Sequence, residues 1–280
     1  MKTYVTVLCE NSVEFPKNVI GEHGLSMLVE RDSVTLFDTG QGFALMHNLR
    51  ALPRKFGGIE RVVLSHGHYD HTGGLMPLLE EVGGGLPVFA HPDIFTQRVV
   101  FFETANGGFE VPIGMPQSRA DYERAGARFN LSSGKTEIAP GILAFSNIPR
   151  PEGWKGFDPM LKQKVDDSLI DDPFNDDLSL LLETKSGPVV LLGCAHAGIV
   201  EILDHISRES GHSSFHAVIG GTHLGSAPDE YISKAIRALN GYDVKIVATS
   251  HCTGFRAASM IASAMGPRYR PRSVGTMFEF

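Results

Sequence analysis

Ser65-His66-Gly67-His68-Tyr69-Asp70-His71-Thr72-Gly73-Gly74 packs three histidines and an aspartate into residues 66–71, directly behind the apolar run 61–64. Imidazole ligates Zn, Fe and related metals well, and a carboxylate added to an imidazole cluster suits a hydrolytic centre. On an irregular turn His66 and His68 can point one way and hold one metal, leaving Asp70 and His71 to reach a second beside it. Two metals a few ångströms apart lower the pKa of a shared water toward ~7 and clamp the attacking and leaving oxygens. Asp70 then has two roles open to it, as a metal ligand and as a carboxylate that orients or deprotonates the attacking water.

Outward from this segment, short runs rich in Val, Ile, Leu and Phe recur at 34–37, 61–64, 87–90, 188–192, 217–219 and 245–248, each stopped by Gly, Ser, Asp or His. These read as buried strands. Helix-period segments lie between several of them, at 43–52, 73–81, 199–207, 229–239 and 257–264, several opened by Ser, Thr or Pro. Strand and helix alternate, so the class is α/β. Residues from about 102 to 177 break the rhythm with many Gly and Pro and an acidic string, Asp166, Asp167, Asp171, Asp172, Asp176 and Asp177. That stretch reads as an insertion or lid. No Ser/Gly linker, low-complexity tract or solenoid repeat divides the chain, so one domain over 1–280 is expected. Val62-Val63-Leu64-Ser65-His66 and Ile246-Val247-Ala248-Thr249-Ser250-His251 are both apolar strands running into Ser-His, a weak echo of two similar halves facing each other.

Seven of the 12 histidines, His66, His68, His71, His91, His196, His223 and His251, fall at or just past the C-terminal end of an expected strand. Ligands of open α/β sheets bind outside those strand ends, which is how residues distant in sequence meet. A single histidine is more often neither ligand nor base, and His23, His47, His205, His212 and His216, on helices or loops, are read as surface or packing residues.

The pattern His66-x-His68-x-Asp70-His71 with Thr72-Gly73-Gly74 behind it resembles the defining motif of the metallo-β-lactamase superfamily. Leu36-Phe37-Asp38-Thr39-Gly40 resembles its early Asp-Thr-Gly turn, whose aspartate supports the metal ligands from behind. Four further segments resemble the branch that includes the dihydropterin synthase-like enzymes of methanopterin biosynthesis: Glu22-His23-Gly24-Leu25-Ser26, Gly193-Cys194-Ala195-His196-Ala197-Gly198, Gly220-Gly221-Thr222-His223-Leu224 and His251-Cys252-Thr253-Gly254. The resemblance implies an αββα sandwich, two sheets face to face with helices outside, and one or two divalent ions at one edge, Zn first with Fe or Mn as alternatives. Two positions depart from the family pattern. The histidine expected in a Thr-Pro-x-His turn before Asp177 is absent, with Ile148-Pro149-Arg150 in its place, and Gly193-Cys194 stands where a bridging aspartate is usual. His196 is the candidate to fill one gap and His251 matches the last ligand motif. The expected metal set is therefore His66, His68, Asp70, His71, His196 and His251.

His223 and His91 can each bind metal, donate a proton to a leaving group or cap a strand; His223 is taken with Asp70 as the catalytic pair. Arg150 can form a fork with a substrate phosphate or carboxylate, or an ion pair with the acidic string. Asp177 precedes a strand-like run and can approach the metals, while the rest of the string reads as a solvated loop. Cys194 and Cys252 flank metal-side histidines and read as small buried residues, since thiolate ligation needs a geometry that spacing does not define.

The net charge of −7 opposes general binding to nucleic acid or an anionic membrane, both of which require a positive field. The basic run Arg268-Tyr269-Arg270-Pro271-Arg272 is short enough to be a solvated turn. Three widely spaced cysteines, Cys9, Cys194 and Cys252, do not form a disulfide framework. No segment has the apolar length of a bilayer span and the start does not read as a signal peptide, so a cytoplasmic location is expected. The partner is a small molecule, and a homodimer is compatible with the composition. The leading expectation is attack by a metal-bound hydroxide on an ester, phosphoester or related bond of a small polar substrate. The alternatives are a dihydropterin diphosphate–aminobenzene transferase and a metal-binding or ligand-sensing protein without catalysis.

Overall fold

A computed structural model describes residues 2–280 apart from 54, 56, 105 and 106. Its first sheet runs, in spatial order, Met277–Glu279, Tyr4–Cys9, Ser26–Glu30, Val34–Phe37, Arg61–Val63, Leu86–Ala90 and Ala127–Leu131, and is parallel from Val34–Phe37 onward. The second runs Ile246–Ser250, Ala217–Gly221, Val189–Leu192, Ser179–Leu182, Ile142–Phe145 and Thr136–Ala139, with its first three strands parallel.

Side-chain alternation along the inner strands makes the layers. Leu180, Leu182, Val189 and Leu191 face the first sheet and pack in one cluster with Val5, Met27, Val29, Phe37 and Val63. Their neighbours Leu181, Val190 and Leu192 point the other way, onto Ile202, Leu203, Ile232 and Ile261 of the helices Ile199–Ser210, Asp229–Gly241 and Phe255–Met265. This is the period of two expected of a strand buried on both faces. On the far side of the first sheet, Leu28, Leu36, Val62 and Leu64 meet Leu45, Leu49, Leu75 and Leu79 from the helices Leu45–Ala51 and Leu75–Val82. The result is the αββα sandwich, each fully buried aliphatic side chain contributing roughly 1.5–3 kcal/mol of transfer free energy.

The segment at about 102–177 is only in part a cover. Ala127–Leu131, Thr136–Ala139 and Ile142–Phe145 belong to the two large sheets. What stands apart is a four-stranded sheet in the order Ser168–Asp171, Leu161–Val165, Arg98–Thr104, Gly107–Pro112, which begins before residue 102. The basic run at 268–272 also departs from the expected solvated turn, because Arg272 is buried and donates to Ser250 Oγ, beside His251. Among the described residues no helix is long and apolar enough to cross a membrane.

Candidate metal centre

Parallel strands of both large sheets end at one edge, and the turns behind them carry the histidines. His66 and His68 follow Arg61–Val63, and His196 follows Val189–Leu192. Their ligand atoms all lie within 4.8 Å of one another, and all three rings are buried. His66 Nε2 and His68 Nδ1 approach to 3.0 Å, while the other nitrogen of His66 meets Ser65 Oγ at 2.9 Å. Burial, then the neighbouring positive groups, pushes the pKa of His66, His68 and His196 well below the usual imidazole value, so the rings are neutral and keep lone pairs. His196 Nε2 and His68 Nε2 are buried with no hydrogen-bond partner.

A second group sits beside the first. His71 Nε2 is 3.3 Å from His251 Nε2, and Asp70 Oδ2 lies 3.7 Å from the former and 3.1 Å from the latter. Each ring is held from behind by its other nitrogen, which leaves Nε2 facing inward. Asp38 Oδ2 accepts from His71 Nδ1 at 2.7 Å, and Asn11 Oδ1 accepts from His251 Nδ1 at 2.9 Å. Asp38, at φ 58°, also takes the Ser65 amide and hydroxyl, both at 2.7 Å, and so ties the early Asp-Thr-Gly turn to the histidine loop. Burial opposes the ionisation of Asp70, but His71 and His251 hold it below the usual carboxylate range. Burial likewise opposes charge on His71, yet Asp70 and Asp38 raise it to about 9. Unpartnered buried nitrogens, converging lone pairs and one carboxylate form a donor set that fits divalent Zn, Fe or Mn.

The loop that carries His66 and His68 is anchored by residues whose roles the sequence does not show. Asp176 Oδ2 accepts from the Gly67 amide at 2.8 Å, and its other oxygen accepts from Arg98 at 2.7 Å. Arg98 also donates to Asp172 at 2.6 Å, and all three side chains are buried. Asp172 and Asp176 are thus not part of a solvated loop. A Cβ at Gly67 would collide with the Ile94 carbonyl oxygen, so the residue between the two histidines has room only for hydrogen. Asp177 is buried, and its Oδ1 has no hydrogen-bond partner. Its Oδ2 accepts from the Ala197 amide at 2.6 Å and steadies the turn that bears His196. Burial, reinforced by Asp176, pushes its pKa up to about 7.

The remaining expected residues divide into two sets. His223 lines the site cavity, its ring 4.2 Å from that of His196 and its Nδ1 buried without a partner. His91 is instead a cap, accepting from the Asp93 amide at 3.1 Å and meeting Asn147 Oδ1 at 3.0 Å. Arg150 is committed to the loop at 173–175, donating to the Pro173 carbonyl and to Asn175 Oδ1, and it does not line the cavity. These contacts are with the scaffold, the structural one of the two roles that the sequence leaves open to Arg150. His23, read from sequence as a surface or packing residue, lies in the cavity with Nε2 3.3 Å from Asp70 Oδ2. Its only sequence signal is the Glu22–Ser26 segment of the family resemblance. Asn11 and Glu10, which accepts from the His251 amide at 2.9 Å, have none.

The cavity over the two groups measures about 260 Å³. Of the expected metal ligands, His68, Asp70, His196 and His251 line it, together with Tyr69, and Val100 and Leu161 of the four-stranded sheet, with Ile113 just past its last strand, supply apolar lining. Among the described residues that line it there is no Lys or Arg.

Comparison with known proteins adds independent lines. A family model described as the metallo-beta-lactamase superfamily matches residues 19–251. The chain is 30% identical over 285 aligned positions to the 7,8-dihydropterin-6-methyl-4-(beta-D-ribofuranosyl)-aminobenzene-5'-phosphate synthase of Methanocaldococcus jannaschii, covering 99% of this chain and 96% of that one. Tm1679, a metal-dependent hydrolase of the beta-lactamase superfamily, superposes with a TM-score of 0.83 at 28% identity, over 99% of this chain and 98% of its own. Zn(2+)-bound PqqB from Methylobacterium extorquens shares the fold, with a TM-score of 0.59 at 14% identity over 98% of this chain and 99% of that one.

Proposed function

Because the chain belongs to the metallo-beta-lactamase superfamily, we propose that it is a metal-dependent hydrolase acting on an ester, phosphoester or related bond of a small polar substrate. The observation that carries this reading is the pair of candidate ligand groups, His66/His68/His196 and Asp70/His71/His251, side by side, with His68, Asp70, His196 and His251 lining one cavity. Divalent ions held there, Zn first with Fe or Mn as alternatives, supply Lewis acidity and an activated water. The residues of the chain do the rest. Asp70, ionised and lining the cavity, orients the water proton, and His223, which also lines it and has an unpartnered nitrogen, delivers a proton to the leaving oxygen. The four-stranded sheet limits the water that reaches the site. In this reading residues 1–280 are one domain with that sheet as its cover, and the free thiols of Cys9, Cys194 and Cys252 suit a reducing cytoplasm.

A pterin transferase is the second reading, favoured by the printed activity of the Methanocaldococcus jannaschii relative. It lacks the arginine contact foreseen for a departing diphosphate, because Arg150 is held in the 173–175 loop and no Lys or Arg is among the described residues that line the cavity. A protein without catalysis is less well supported, since His196 joins His66 and His68 in one buried group and His251, at the last ligand motif, meets His71 and Asp70. The deciding experiment offers metal-loaded protein a phosphoester, ester and lactone panel and, separately, a dihydropterin diphosphate with an aminobenzene acceptor. Chelator-sensitive hydrolysis that falls roughly 10²–10⁴-fold in Asp70→Asn at matched metal occupancy is the expected result. Coupling to the acceptor without hydrolysis of the panel would replace the hydrolase reading with the transferase.

A further inference from the structure

Of the two cysteines that line the cavity and that neither ligand trio uses, Cys194 is the buried one, while Cys252 is half-buried and grouped with Cys194 and His223. Cys194 Sγ lies 3.2 Å from His71 Nε2. With the ligand atoms of His66 and His71 it forms a group whose members are all within 4.8 Å of one another. His66 belongs to one trio and His71 to the other, so the sulfur stands between the two metal positions. The backbone that carries it is locked. A Cβ at Gly193 would collide with Ser65 Oγ, Ala195 is held at φ 58°, the Ala197 amide donates to Asp177, and the Gly198 amide donates to the Ala195 carbonyl at 2.9 Å. The thiol also falls at the chain position where the family pattern would carry a bridging carboxylate.

We infer that Cys194 Sγ is a ligand shared between the two metal positions, a thiolate in the place of a bridging aspartate. The inference rests on the dinuclear reading proposed above. On metal uptake the S–H proton leaves to solvent, and the sulfur donates one lone pair toward each ion, since a coordinating thiol is deprotonated outright. A soft bridging ligand also has a consequence for metal choice. Thiolate selects Zn or Fe over Mn, which prefers carboxylate, carbonyl and water oxygens.

The test uses the full chain, reduced, and loaded with Zn or Co(II). X-ray absorption of the Zn form should show a sulfur shell at about 2.3 Å, and the Co(II) form should show thiolate-to-metal charge-transfer absorption in the near ultraviolet. Both signals should persist in Cys252→Ala and vanish in Cys194→Ala, whose metal content should drop from about two equivalents to about one. A sulfur signal lost in Cys252→Ala and retained in Cys194→Ala would overturn the assignment and give the thiolate to Cys252. Two bound metals with no sulfur shell in the wild type would overturn it while leaving the hydrolase reading intact. A wild type that binds no metal would overturn both. If Cys194→Ala does not fold, the sulfur shell in the wild type and in Cys252→Ala decides alone.

Discussion

At the scale of single residues, two aspartates outside the ligand groups have separable jobs. Asp38 sets the orientation of His71, so Asp38→Asn keeps the shape and loses the charge that holds the Nδ1 proton. Partners of this kind are typically worth about 10–100-fold in metal affinity, and a competitive chelator titration should show a loss in that range. An unchanged affinity would mean that His71 is oriented by packing alone. Asp177 makes a different prediction, about pH. Its carboxyl pKa rises from 3.8 to about 7 in the folded chain because it is buried with Asp176 nearby. Between those values the folded chain holds a proton that the unfolded chain has lost, so stability falls as pH rises through that window and stays lower above it. Asp177→Asn can keep the Ala197 contact through its amide oxygen while removing the ionisable group. In metal-free protein it should be more stable than wild type at pH 8, by roughly 1–3 kcal/mol where the full shift sets a ceiling of about 4, and nearly equal at pH 4. Urea unfolding at both pH values measures this; a variant weaker than wild type at pH 8 would show that the charge is stabilised.

At the scale of elements, Arg98 connects the covering sheet to the histidine loop. It begins the strand Arg98–Thr104 and pairs with both Asp172 and Asp176, the second of which holds the Gly67 amide. Arg98→Ala leaves two carboxylates buried without a cation, a change that typically costs about 3–5 kcal/mol. Denaturant unfolding should register that loss together with weaker metal binding; a cost under about 1 kcal/mol would mean that water relieves the trio. The same linkage explains which elements were legible. Strands such as Val189–Leu192, buried on both faces, appear as unbroken apolar runs, and the helices Ile199–Ser210 and Asp229–Gly241 show their period directly. The strand Gly107–Pro112 is exposed along its whole length, so burial imposes no alternation on it, and the covering sheet left only a Gly- and Pro-rich stretch to read. Of the site, the histidines at strand ends were visible because the fold repeats that placement. Asn11, Glu10 and Arg98 were not, because each acts on the site through contacts made far along the chain, which leave no local pattern.

At the scale of the whole molecule, the ligand groups draw on both sheets. His66, His68, Asp70 and His71 come from the turn and the short helix Tyr69–Thr72 behind the first sheet, whereas His196 and His251 follow strands of the second. A bound ion is therefore a cross-link between the halves of the sandwich, available only when both sheets are assembled. A ligand that binds the folded chain and not the unfolded one stabilises it by about 2.7 kcal/mol at a hundred times its dissociation constant and about 4.1 at a thousand times. For a chain of this size, roughly 2–4 °C of melting temperature accompanies each kcal/mol. Removing the metals by chelation should accordingly lower the melting temperature by about 5–15 °C, and added Zn should restore it. His196→Ala and His251→Ala each cut the link on the side of the second sheet, so each should start near the chelated value and recover only a small part of the shift on adding Zn. Calorimetry of wild type and both variants, with metal content checked by elemental analysis, gives the comparison. A loaded wild type that melts at the same temperature as its chelated form would mean that the ions bind the folded and unfolded chain equally, and would remove the cross-link. If instead the two variants lose unequal shares, the larger loss identifies which trio holds its ion more tightly, because the stabilisation scales with the logarithm of that affinity.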